Sequence, residues 1–347
     1  MILIRKILFP FAAIYGLITT VRNYFYDKGI FKSTVFDLPV IAVGNLSVGG
    51  TGKSPQIEYL MRLLDAHGYK IGTLSRGYKR KSSGFILADD KSNAAILGDE
   101  PFQFHRKFPM ASVAVDANRT NGIKLLREHR NPDIILLDDA FQHRKVKAGF
   151  YILLTTYQEL YLDDFLLPTG NLRESRRGAK RADIMIVTKC PGNLAPSQQN
   201  AIRLKMKLRP HQQLFFSCIE YDEQVVSVSE KIKVSDIRIQ PKLLLAGIAK
   251  PKPFFDHLIS EGDAILEFPD HHHFSDADID KIAEKANGRP IVTTEKDYVR
   301  LQDSQLKNLY YLPIRSAFLN EAGHFDKTIL DYVGKCTTNR SIHKEQN

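Results

Sequence analysis

The run Ser47-Val48-Gly49-Gly50-Thr51-Gly52-Lys53-Ser54 has the make-up of a phosphate-binding loop. Its glycines let backbone N–H groups converge on phosphate oxygens. Lys53 would reach the β- and γ-phosphates of a nucleotide, and Ser54 would hold Mg²⁺. The context fits. Residues 39–43 form a short apolar run, and Ile57, Leu60, Met61 and Leu64 mark one face of a helix that Gly68 is placed to end. A phosphate at that helix N-terminus also meets the positive end of the helix dipole. The strict motif has glycine where Ser47 stands. The plain alternative is a glycine-rich turn with no ligand.

A second chemical group is the acid pair Asp138-Asp139, which ends the apolar run 134–137. Phosphoryl transfer needs a carboxylate at such a strand end to hold Mg²⁺, directly or through water. A solvated turn is the alternative. The base reader of GTPases, Asn/Thr-Lys-x-Asp, is incomplete here: Thr188-Lys189-Cys190-Pro191 lacks the acid, so ATP is favoured over GTP. Basic runs follow three strand ends: Arg76 with Lys79–Lys81, His143–Lys145 with Lys147, and Arg173 through Arg181. Any one run reads as solvated surface, but together they point to an anionic substrate. His271-His272-His273 cannot share a strand or helix face and has no partner at metal-ligand spacing. One histidine working with a carboxylate in acid–base chemistry is the better reading.

These residues need elements to hold them. Strands at 71–74, 112–115, 134–137, 152–154 and 184–187 alternate with helical stretches. This predicts an α/β fold, a P-loop NTPase-like parallel sheet with helices on both faces. The carboxyl ends of such strands gather ligands, and the loop, residues 75–78, Asp116 and residues 138–144 all fall there. A possible strand pair at 214–219 and 224–228 precedes a second, smaller α/β lobe. Its strands are read at 243–246, 264–268 and 291–293, with helices at 253–260 and from a Ser275 cap to Gly288. The expected divisions are an N-terminal segment over 1–28, a kinase core over 29–215, a linker over 216–240, a C-terminal lobe over 241–335 and a polar tail over 336–347.

The chain has 347 residues and a net charge of +10, which calls for an anionic partner. Nucleic acid is disfavoured because no helix-turn-helix, zinc module or RNP-like signature appears. The three cysteines form no C-x-x-C, which fits a reducing compartment without structural zinc. Residues 7–21 carry no charge, are flanked by Arg5, Lys6, Arg22 and Lys28, and include Pro10 and Gly16. They are short for a membrane span. A helix lying on an anionic leaflet is favoured, and a helix packed on the protein's own core is the alternative.

Taken together, the residues resemble the tetraacyldisaccharide 4′-kinase family of lipid A biosynthesis. The matching stretches are 43–50, Ser75-Arg76-Gly77-Tyr78, Gly98-Asp99-Glu100-Pro101, Asp138-Asp139 with Phe141-Gln142-His143, Leu167-Pro168 with 170–174, Pro269-Asp270-His271 and Thr294-Glu295-Lys296-Asp297. They span nearly the whole chain in the family's order, and Ser47 is itself family-like. Ala140 departs from the family's usual glycine, a strain if that position has positive φ. The resemblance implies transfer of the ATP γ-phosphate to the 4′-hydroxyl of a tetraacyl glucosamine disaccharide 1-phosphate. It implies a peripheral enzyme on the cytoplasmic face of the bacterial inner membrane, with no obligate protein partner evident. It also implies a catalytic dyad of Asp99 and His271 alongside Lys53, and it places Asp138, Asp139 and Glu174 near Mg²⁺. Arg76, Arg119, Gln142 and Asn171 are implied substrate or phosphate contacts. The rival readings are a P-loop kinase of a soluble sugar or nucleotide, and a membrane-associated ATPase that phosphorylates nothing.

Overall fold

A computed structural model of the chain describes residue 5 and residues 7–345, the stretch 337–345 as backbone only. Lys6, one of the charges expected to flank the N-terminal segment, lies outside the described residues. The chain opens with α1 (Phe9–Asp27), β1 (Val40–Asn45), α2 (Lys53–Ala66), β2 (Ile71–Ser75), β3 (Ile86–Leu87), α3 (Ala94–Leu97) and α4 (Asp99–Lys107). It continues through β4 (Ser112–Val115), α5 (Arg119–Arg130), β5 (Ile134–Asp138), β6 (Phe150–Thr156), β7 (Ile184–Thr188), α6 (Pro196–Met206) and β8 (Gln213–Tyr221). These strands, joined late in the chain by β15 (Ile314–Phe318), form one sheet in the order β15-β8-β7-β6-β1-β5-β2-β4-β3. The pairs from β8 to β4 are parallel, and the two edge pairs are antiparallel.

Buried on both faces, the central strands read as continuous apolar runs. Alternation still sorts their side chains. Ile41 and Val43 of β1 pack with Ile57, Leu60, Met61 and Leu64 of α2. Val40 and Ala42 face the other way, with Ile123 and Leu126 of α5. The spacing read in α2 is therefore its buried stripe, and Gly68 follows its end at φ 76°.

The second lobe holds β9 (Gln224–Val226), β10 (Lys231–Lys233), α7 (Val234–Arg238), β11 (Leu243–Ala246), α8 (Lys252–Leu258), β12 (Ala264–Glu267), α9 (Asp276–Ala286), β13 (Ile291–Thr294), α10 (Glu295–Leu301) and β14 (Leu309–Leu312). Its sheet runs β10-β9-β14-β13-β11-β12. Ser275 caps α9 as expected, with its Oγ accepting from the Asp278 N–H at 3.3 Å.

Three expectations change. The stretch 216–240 is not a bare linker, because it contains the end of β8, then β9, β10 and α7. The strands near 214–219 and 224–228 do not pair with each other: β8 joins the first sheet and β9 the second. Finally, β15 (Ile314–Phe318) and α11 (Ala322–Glu345) leave the second lobe and return to the first. Phe325, Ile329 and Val333 of α11 are fully buried in the same core as Ile41 and Leu60. The region expected as a tail from 336 continues α11 as far as Glu345, and 346–347 lie outside the described residues.

Candidate active site

The loop after β1 is held from three sides. Gly49 and Gly52 take φ of 106° and 84°, where a side chain would be strained. The Asn45 amide donates to Thr51 Oγ1 at 2.8 Å, and its oxygen accepts from Lys53 Nζ at 3.5 Å. Thr188 Oγ1, at the end of β7, donates to the Thr51 carbonyl at 2.8 Å. The third side is the segment 171–173, where Val48 N–H donates to the Asn171 carbonyl and Arg173 N–H donates to the Leu46 carbonyl, both at 2.8 Å. Gly44 is needed because a Cβ there would come within 2.7 Å of Phe141 Cβ.

Asp138 and Asp139 end β5, beside β1. The two carboxylates differ. Asp139 is raised by burial, but Lys53 and Arg173 outweigh this and hold it at about 2. Lys53 Nζ lies 3.7 Å from Asp139 Oδ1, and Arg173 donates to both of its oxygens at 2.7 and 3.0 Å. Asp138 is pushed up to about 7 by burial, then by the charges of Glu100 and Asp139. Ser75 Oγ donates to its Oδ2 at 3.2 Å, while its Oδ1 is buried without a hydrogen-bond partner. Positive φ falls on Asp139, at 47°, and not on Ala140, so alanine at 140 carries no strain.

Ser54 Oγ donates to Glu100 Oε1 at 2.8 Å, and Lys296 Nζ of α10 donates to that same oxygen at 2.6 Å. Asp99 and Glu100 form the first turn of α4, with Gly98 at φ 90° before them. The sequence there reads locally as a turn, but it opens a helix instead. His271 follows β12 in the second lobe, at φ 57°. Its Nδ1 lies 3.5 Å from Asp99 Oδ2, so the two lobes do bring this pair together. Arg300 of α10 stands between them. Its Nε and Nη2 donate to Asp99 Oδ2 at 2.9 and 2.6 Å, and its Nη2 lies 3.1 Å from His271 Nδ1. Burial raises Asp99, but the contacts with His271 and Arg300 bring it down to about 2.

Glu174 sits elsewhere. It is fully buried and accepts from Asn23 Nδ2 at 2.6 Å, Arg181 Nη2 at 2.6 Å and Gln142 Nε2 at 3.2 Å. Its oxygens are engaged by these donors, so the expected ligand set of Ser54, Asp138, Asp139 and Glu174 is not assembled around one point. Among the described residues no cluster of three or more His, Cys, Asp or Glu side chains could hold a metal ion. Gln142 is bound to this buried group and to the Asn45 carbonyl at 2.7 Å. Arg119 is buried, donating to the carbonyls of Asp116 and Asp138 at 2.8 and 3.2 Å, and burial lowers it to about 10. Arg76 is exposed. Asn171 Oδ1 accepts from Arg5 Nη2 at 3.1 Å.

The N-terminal helix is docked and exposed at once. Ala12, Gly16 and Thr19 are buried, and Tyr15 Oη donates to the Arg173 carbonyl at 2.7 Å. Ile7, Phe9, Phe11, Ile14, Leu17 and Ile18 are exposed, Leu17 to 66%. One face of α1 is thus packed on the protein, and the opposite face is bare. No helix among the described residues is long and apolar enough to cross a membrane.

Sequence reasoning passed over Arg300, Lys296 and Glu100 as site residues. It also read Lys189 only as a failed guanine reader, yet a Cβ on Gly50 of the loop would lie 3.7 Å from Lys189 Nζ. Burial lowers Lys189, and Lys250, Lys296 and Lys53 add to the effect by repulsion. Lysines crowded beside a glycine loop form a site that favours anions.

Comparison with known proteins agrees with this architecture. A protein from Flavobacterium johnsoniae named tetraacyldisaccharide 4′-kinase is 67% identical over 95% of this chain and 98% of its own length. One of the same name from Bacteroides thetaiotaomicron is 45% identical over 99% of this chain and 97% of its own. The crystal structure of LpxK from Aquifex aeolicus in complex with ATP superposes with a TM-score of 0.79 at 31% identity, covering 95% of this chain and 99% of that one. Residues 4–334 match the family model described as tetraacyldisaccharide-1-P 4′-kinase, and the chain belongs to that family.

Proposed function

We infer that this chain is an ATP-dependent kinase of lipid A biosynthesis. It transfers the γ-phosphate to the 4′-hydroxyl of a tetraacyl glucosamine disaccharide 1-phosphate. The family match over residues 4–334 carries this reading. In our reading, residues 47–54 cradle the phosphates and Lys53 neutralises charge that builds on them during transfer. Asp99, aided by His271, accepts the proton of the sugar hydroxyl as that oxygen bonds to phosphorus. Arg76, Arg119, Gln142 and Asn171 are assigned to substrate or phosphate contacts. Glu174 is better read as the buried anchor between α1 and Arg181 than as a metal ligand.

Mg²⁺ fits the residues present. The unpartnered Asp138 Oδ1 and the Ser54 hydroxyl, itself bonded to Glu100, offer hard oxygen donors, and Asp138 is raised by burial and then by the negative charges of Glu100 and Asp139, which a cation would offset. Mg²⁺ in P-loop enzymes needs only one or two protein oxygens, the rest coming from phosphates and water. When bound, it supplies charge neutralisation at the β- and γ-phosphates. We place the enzyme peripherally on an anionic leaflet at the cytoplasmic face of the inner membrane, with the exposed side of α1 in the acyl boundary. The test is incubation with γ-labelled ATP and a membrane lipid extract. Label in lipid is expected; release of free phosphate alone would favour an ATPase, and label only in soluble sugars a different acceptor.

A further inference from the structure

We propose that Arg300 is the positioning residue of the phosphate-acceptor site: it holds Asp99 and His271 together across the cleft between lobes and decides which of their atoms is free to take the proton. This rests on the reading of Asp99 and His271 as the proton-accepting pair, and adds to it a residue that neither the motifs nor the comparisons assign.

The geometry is specific. Both donors that Arg300 sends to Asp99 end on Oδ2, leaving Oδ1 with none of them. Arginine can only donate, so its contact at 3.1 Å requires a lone pair on His271 Nδ1 and puts the imidazole proton on Nε2. The 3.5 Å gap between Nδ1 and Asp99 Oδ2 is then bridged by Nη2 of the guanidinium. Asp99 Oδ1 is left as the acceptor for the sugar hydroxyl, and one guanidinium fixes both the rotation of the carboxylate and the tautomer of the histidine.

Arg300 is itself braced. Its Nη1 donates to Asp297 Oδ1 at 3.1 Å. The other oxygen of Asp297 accepts from the Gly247 N–H at 2.8 Å and from Thr294 Oγ1 at 2.7 Å. The Gly247 carbonyl accepts from the His271 N–H at 3.2 Å. A Cβ on Gly247 would come within 3.0 Å of Asp297 Oδ1, so glycine lets this frame close. Clamp and histidine therefore hang from one backbone unit of the second lobe, and Asp99 is the first-lobe group they grip. The other groups facing His271 are Asp270, 4.0 Å from Nε2, and the Tyr78 ring at 5.9 Å. Neither competes for Nδ1. A loose phosphoryl-transfer transition state asks for orientation more than for a strong base, and a fork donor supplies orientation.

The experiment compares full-length Arg300→Ala, Arg300→Lys and Asp99→Asn in the lipid kinase assay, with and without added guanidinium, and reads the His271 tautomer by imidazole ¹⁵N NMR against a His271→Gln control. Arg300→Ala is expected to lower kcat about 100-fold, with KM for ATP within about 3-fold. Guanidinium should restore about 5-fold or more of the lost rate, as the free ion refills the gap. In the NMR spectrum the proton should move from Nε2 to Nδ1, which becomes free to donate to Asp99. Arg300→Lys keeps the charge without the fork, and should stay folded and remain about 10-fold slow. The proposal is overturned if Asp99→Asn is inactive while Arg300→Ala turns over within about 3-fold of the parent. It is also overturned if the loss tracks a fall in melting temperature, with no rescue and no tautomer change. Near-normal turnover of Asp99→Asn would instead remove the proton-accepting pair itself.

Discussion

Lys53 is the loop's own positive charge beside the acid pair, 3.7 Å from Asp139, and its replacement is the sharpest test of the loop. Lys53→Ala is expected to lower phosphoryl transfer by several hundred-fold or more, since a lost preorganised charge contact costs about 3–4 kcal/mol in the transition state. The melting temperature should hold, because the loop is also tied through Asn45, Thr51 and Thr188. Near-normal turnover in the folded variant would remove the loop from the chemistry. Asp99→Ala and His271→Ala should each slow turnover severely, and the double variant should be little worse than either, as groups acting as one unit are not additive. Multiplying single effects would mean they act apart. At this scale the sequence showed what sits next to itself: the loop, and the acids that close a strand. It could not show Arg300, because an arginine in a helix of the second lobe gains meaning only when Asp99 is folded against it. Glu174 is the converse case. Its neighbour Arg173 does face Asp139, but the two side chains point to different groups.

Helix α1 illustrates how an element can satisfy two demands. Gly16 lets it approach so closely that a Cβ there would lie 2.6 Å from Leu166 Cδ1, while the opposite face keeps its aliphatic side chains bare. Deleting residues 1–28 should weaken membrane attachment and lipid phosphorylation more than ATP binding, measured by sedimentation with vesicles, lipid assay and nucleotide titration. Each buried methylene contributes about 0.8 kcal/mol and each basic residue near an anionic surface about 1 kcal/mol. Salt screens only the second, so high salt should release the intact protein in part. A truncated protein that still sediments, or loses ATP affinity in step with lipid activity, would defeat this view. The docked face adds a cost: Glu174 loses Asn23, so some fall in melting temperature is expected too. The strands of the first sheet were legible because burial on both faces makes them uninterrupted apolar runs. The start of α4 was not, since Gly-Asp-Glu-Pro serves equally in a turn and at a helix N-terminus, where acids meet the dipole.

The two lobes are joined by more than the clamp. Lys107 of α4 lies 2.7 Å from Glu58 of α2 and 2.6 Å from Glu295 of α10, and Gln103 donates to Glu58 at 2.8 Å and reaches Glu295 at 3.3 Å. One ammonium thus serves two buried carboxylates from different lobes. Burial, then the charge of Glu58, raises Glu295 to about 7 from an ordinary 4.5. The folded state therefore holds this proton more tightly than the unfolded chain. Its contribution favours folding at low pH and is lost as pH rises from about 4.5 through about 7. Glu295→Gln removes that titration, so the melting temperature of the variant minus that of the parent should climb between pH 5 and pH 8. A difference independent of pH would mean that Glu295 stays charged throughout. None of this pairing is visible along the chain, because 188 positions separate Lys107 from Glu295.

The return of β15 and α11 to the first lobe has a consequence for biosynthesis. A ribosome releases the chain from its N-terminus, so the lobe made first is finished last. Until residue 318 emerges, β8 is an uncovered edge of the first sheet, and until α11 follows, Phe215 lacks both Phe318 and Phe325, which sit 5.8 and 5.3 Å from its ring in the finished protein. The second lobe, 224–312, is complete before that point. Nascent protein must therefore wait with a sticky sheet edge while a later-made domain is already shaped, a state that invites intermolecular strand pairing. Chains released early by a stop codon near 312 should accumulate as aggregates or be degraded, even though they carry the phosphate loop, both acids, Asp99, His271 and Arg300.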